Sequence, residues 1–157
     1  MTQTYSPRLF QLLSFAAGLA IGNLYISQPL LSLISGDFGA NTVQTGWLVS
    51  ATQFGYATGI ILLVPLGDMF SRRLLIPLMM TLSGLGLLAA SMSNSYIAVL
   101  IAFAVVGVTT ISGQFIMPLT GDLSTDENRG HNIGVVVSGI MVGILASRSI
   151  AGGLAGI

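Results

Sequence analysis

Cysteine is absent from the sequence, which excludes disulfide frameworks, thiolate metal sites and cysteine nucleophiles. Lysine is missing too, because the five basic residues Arg8, Arg72, Arg73, Arg129 and Arg148 are all arginines, balanced by five acids to a formal charge of zero. No basic field exists to hold nucleic acid. Only 6% of the 157 residues are charged, against roughly a quarter in an ordinary soluble domain, too few to dress a water-facing surface. No nucleophile–base pair, histidine-rich cluster or pair of carboxylates within an apolar run appears. The residues therefore give no ground for an enzyme, a metal or a cofactor.

What is present is apolar. Hydrophobic residues make up 53% of the chain, the mean hydropathy is +0.88, and there are 20 glycines, a composition that suits helices packed closely in lipid. A bilayer core about 30 Å thick needs about 20 largely apolar residues to cross it as a helix. Five stretches meet that length, at about 9–33, 45–66, 74–92, 96–119 and 133–157. The first is longer than a signal-peptide core and is followed by four more, so it reads as a retained helix. No soluble domain, linker or low-complexity segment intervenes. The predicted fold is all-α, one transmembrane domain of five helices over residues 1–157, with consecutive helices antiparallel.

Charges cluster in alternate gaps: Arg8 first, then Asp68, Arg72 and Arg73, then Asp122, Asp126, Glu127, Arg129 and His131, while the other gaps hold one charge, Asp37. By the positive-inside rule the N-terminus and the two charged loops face the cytoplasm. Asp68, Arg72 and Arg73, in a turn of a few residues between spans, suit a latch of ion pairs that breaks and reforms between conformations. A plain positive-inside anchor is the other reading. His131, Asp126 and Glu127 read as solvated loop residues, without ligand spacing for a metal.

Within the spans, Asn23, Tyr25 and Gln28 with Pro29 interrupt the first, Gln53 the second and Gln114 the fourth. An uncompensated amide is costly in hydrocarbon, so these side chains face other helices or a water-filled path. Arg148 lies about 15 residues into the fifth span, roughly 22 Å from its start, and is a candidate for the same path; snorkelling is the alternative. The pairs Gly84/Gly86 and Gly139/Gly143 read as small-residue contact faces.

Val64 to Arg73 resembles the loop 2–3 signature of the major facilitator superfamily, G-x-x-x-D-R-x-G-R-R, with Asp68, Arg72 and Arg73 on its acid and its two terminal bases. Val64, Met69 and Ser71 depart from it. Gly121-Asp122-Leu123 followed by Glu127-Asn128-Arg129-Gly130 to Gly134 is similar to the family's loop 4–5 pattern, and Asp122 would share the latch. The resemblance is closest to bacterial drug or small-solute efflux members. It implies an inner-membrane protein that moves a small solute by alternating access, ion-coupled and with protons as candidate partners. It also implies an incomplete N-terminal half, because such a half has six helices and the C-terminal helices are missing. The chain alone is then expected to be inactive. No arginine occurs in the membrane part of the fourth span, and only Gly139, Gly143, Gly152 and Gly153 echo the antiporter signature of the fifth. A small membrane protein that binds or regulates a partner is the other class left open.

Overall fold

The computed structural model describes residues 5–156, apart from the side chains of Leu66 and Asp68. Among the described residues there are helices and turns and no strand: α1 (Pro7–Phe38), α2 (Thr42–Met69), α3 (Arg72–Ser91), α4 (Tyr96–Thr109), α5 (Ser112–Asp122) and α6 (Arg129–Ala155). Counting α4 and α5 together, five helices are long and apolar enough to cross a membrane. The expected all-α membrane fold is therefore what these residues form.

Local chemistry sets the helix ends. Ser6 caps α1 by accepting from the Arg8 amide at 3.2 Å, with Pro7 at the first helical position, where its missing N–H costs nothing. Helix α1 continues past Pro29 and stops at Gly39, whose φ of 59° is the left-handed conformation that costs a glycine little. Helix α2 opens on a reciprocal cap in which Asn41 and Gln44 each donate a backbone N–H to the other's side chain at 2.9 Å. It then runs to Met69, leaving Phe70 and Ser71 as the connection to α3. The expected turn of several residues has thus wound into the helices on either side.

The fourth span is not the single helix its hydropathy predicts. The Thr110 hydroxyl donates back to the Val106 carbonyl at 2.7 Å, and that of Thr109 to Val105 at 2.9 Å. Such bonds compete with the backbone ladder and bend helices. Just beyond, Gly113 N–H reaches Thr110 at 3.2 Å and Gln114 N–H reaches Ile111 at 2.8 Å, the tighter i→i+3 pattern. The helix is interrupted there, and α5 beyond it packs against α1 and α3.

Two seams of small residues join the helices. A Cβ on Gly18 of α1 would lie 2.5 Å from the Gly139 carbonyl oxygen of α6, and one on Gly22 would lie 3.1 Å from that of Gly143. The Ser14 hydroxyl donates across this seam to the Val135 carbonyl at 2.7 Å. Along the second seam a Cβ on Gly59 of α2 would stand 2.7 Å from the Val108 oxygen of α4, and one on Gly107 would overlap the Thr52 carbonyl. Between apolar helices in lipid there is no water to expel, so close backbone approach and dispersion supply the attraction. The expected contact faces are present at Gly139, Gly143 and Gly86, whereas a Cβ on Gly84 would meet nothing within 4 Å. Ala17, Ile76, Ile111, Phe115, Ile116 and Val136 fill the core on one side of the α4–α5 break. Leu48, Val99 and Phe103 fill it on the other.

Candidate functional site

At the end of the bundle that carries the α2–α3 and α5–α6 connections, two distant stretches of chain meet. Helix α3 begins at Arg72, and α5 ends at Asp122. The Arg72 guanidinium donates to the Asp122 carboxylate at 2.6 Å, with the side chains 26% and 61% exposed. A pair this open to solvent contributes little to stability, about 0–1 kcal/mol, and is correspondingly easy to open. The Arg129 guanidinium lies against Gly121, within 3.2 Å of the position a Cβ would take there, so α6 brings a second cation beside the same helix end. Arg73 is exposed. The Asp68 side chain lies outside the described residues, and Leu66 with it. His131 falls in the first turn of α6 and not in the loop, because that helix already starts at Arg129.

The polar residues within the spans divide into distinct places. The Asn23 amide donates to the Ser83 hydroxyl of α3 at 3.1 Å and so joins two helices. Tyr25 and Gln28 are half-buried on α1. Successive residues turn by about 100°, so Tyr25 stands roughly 200° around the helix from Asn23. Gln53 is exposed on α2, and Gln114 of α5 donates its amide N–H to the Tyr56 hydroxyl oxygen at 2.5 Å. Tyr56 was not among the residues marked by the sequence. Its signal was there, a phenol three positions after Gln53 in the middle of an apolar span, but tyrosine passes as an ordinary packing residue.

Arg148 is exposed and has no acidic partner among the described residues. Since α6 begins at Arg129, earlier than its hydropathy suggested, Arg148 stands about 28 Å from the helix start and about 10 Å from its last residue, Ala155. That is farther along the helix than the sequence implied, and close enough to the far end for a snorkelling arginine. A groove of about 640 Å³ follows the α1·α6 seam, lined mostly by apolar side chains such as Phe15, Leu19 and Val142. Asn23 borders it, whereas Tyr25, Gln28, Gln53, Gln114 and Arg148 do not. No group of three or more metal-ligating side chains occurs among the described residues.

A polytopic helical membrane domain, with an arginine–aspartate contact between two helix ends on one side, is the class that fold and geometry define. The chain belongs to the Major Facilitator Superfamily, which matches residues 13–157. It is 41% identical to the putative uncharacterized transporter YgaY of Escherichia coli K12 over 96% of this chain and 38% of that protein. It is 33% identical to the probable transporter SCO4007 of Streptomyces coelicolor, over 96% of this chain and 35% of the other. The inner membrane transport protein YnfM of E. coli K12 is 28% identical over 88% of this chain and 34% of its own length. The chain thus spans between 34% and 38% of the length of these curated relatives. No solved structure matches it.

Proposed function

We propose that this chain forms most of the first half of a transporter that carries a small solute across the bacterial inner membrane by alternating access, as ion-coupled efflux, with protons as the candidate coupling ion. The N-terminus and the α2–α3 and α5–α6 connections lie in the cytoplasm, because four of the five arginines gather there. The Arg72–Asp122 contact carries this reading. It joins the two segments that resemble family loop signatures, 50 positions apart in sequence, and its exposure lets it open at low cost. Together with Asp68 and Arg73 it acts as a latch that favours one conformation over another. Asn23, Tyr25, Gln28, Gln53, Gln114 and Arg148 line the solute path. Small-solute transport needs two halves rocking about a shared site, so the chain by itself does not transport.

Two measurements test this. In a full-length transporter whose first 157 residues are this chain, Asp122→Asn is expected to cut transport at least tenfold while the amount of protein inserted in the membrane stays the same. Equal loss of transport and insertion would reduce the contact to an anchor. The 157-residue chain alone, reconstituted in liposomes, is expected to move no more solute than empty liposomes do. Activity above that background would overturn the two-half mechanism.

A further inference from the structure

Tyr56 is the fifteenth of the 28 residues of α2, about halfway through the helix and therefore near the middle of the membrane. The Gln114 amide N–H is directed at its hydroxyl oxygen, at 2.5 Å. That bond occupies a lone pair of the phenol and leaves the phenol's own proton unassigned. The Gln114 carbonyl also has no partner among the described residues. Gln53 precedes Tyr56 by three positions and is exposed, so it shares the same side of α2. One turn further along, Ile60 and Met117 flank the pair and are 39% and 38% exposed.

A donor, an acceptor and a neighbouring amide, bordered by apolar side chains and free of formal charge, make a surface of definite chemistry. Turned to hydrocarbon it would leave polar groups unsatisfied. Turned to a solute it matches a molecule with an acceptor oxygen on an apolar body. We propose that Tyr56, oriented by Gln114, is a specificity-determining contact in the solute path, donating its hydroxyl proton to an acceptor oxygen of a small, uncharged amphipathic organic solute. This rests on the transport reading given above.

The test uses the full-length transporter that begins with this chain, and two probes: chloramphenicol, which is neutral and rich in acceptor oxygens, and ethidium, a planar cation without oxygen. Tyr56→Phe is expected to raise the KM for chloramphenicol efflux at least fivefold with its maximal rate retained, and to leave ethidium unchanged. Loss of both probes alike, or of neither, would overturn the assignment. Labelling by a hydrophilic methanethiosulfonate reagent gives a second readout that needs no transport. Tyr56→Cys and Gln114→Cys are expected to react, and Ile61→Cys, on the exposed apolar side of α2, is not. An unreactive position 56 would sink the proposal even where transport is normal. Reaction at 56 and 114 in a protein that moves neither probe would uphold the polar face and overturn the transport reading instead.

Discussion

The span of α4 and α5 and the helix α6 are both 27 residues long, with hydropathies of 2.1 and 1.9, yet half of the first one's most apolar window is buried and 6% of the second's. Both are long and apolar enough to cross a membrane. The α4–α5 span lies in the centre, touching α1, α2 and α3, while α6 is held chiefly through its seam with α1. Apolarity in lipid specifies that a helix crosses and does not specify its neighbours, because lipid tails are as apolar as a packed side chain. Position in the bundle is decided by small residues and local bends. Glycines seat α6 on α1, and α5, beyond the threonine-rich break, is buried against α1 and α3.

The seam between α1 and α6 is most sensitive at Gly143. A Cβ there would overlap the backbone of Gly18, so Gly143→Leu forces the α1 and α6 backbones apart and is expected to cost more than about 3 kcal/mol, enough to release α6. Leu145→Ala, two positions on at a residue 68% exposed, is expected to stay within about 0.5 kcal/mol. Thermal unfolding of the two variants in detergent separates them, and equal losses would mean that the seam does not hold α6.

A smaller effect belongs to the central span. Phe115 is 4% exposed, and Phe115→Ala is expected to cost about 2 kcal/mol. That figure is the cavity part of the usual penalty, since the transfer part has no counterpart when the alternative solvent is lipid. Unfolding in a mixed-micelle denaturant series reads this directly, and a cost no larger than that of Leu145→Ala would remove the distinction between centre and periphery.

The smallest effect is expected at the break between α4 and α5. Thr110→Val keeps the shape and deletes the bond to Val106, at an expected cost of about 0.5–1.5 kcal/mol. In Thr58→Val the deleted bond, to Phe54 at 2.8 Å, is exposed on an unbroken helix, and almost nothing is expected to change. The same denaturant series compares them. Equal costs would show that the Thr110 hydroxyl does nothing particular to the bend.

Much of this was legible in the residues. Five spans could be counted because hydropathy integrates over about 20 residues and tolerates local detail. The Asn41/Gln44 cap and the Gly39 stop went unread, although they are short-range chemistry, and the expected bounds at 33 and 45 fell short of Phe38 and Thr42. The bend at Thr109–Thr110 was not found, although three hydroxylic residues and a glycine within Thr109–Gly113 were its signal. A window average cannot register a side chain bonding to its own helix. In the candidate site Arg72 and Asp122 were marked by their charge, and they meet, but that Asn23 would bond to Ser83 and Gln114 to Tyr56 was beyond reach. Each of those pairs joins residues about 60 positions apart.

By itself, the sequence determined the solvent and the number of crossings, because these depend on composition summed over whole spans. Tertiary structure alone decided which polar side chains are used up within the bundle and which remain exposed. That outcome turns on which face of a helix meets another, since a rotation of about 100° per residue decides whether a side chain bonds to a neighbouring helix, as Asn23 does to Ser83, or stays exposed, as Gln53 does.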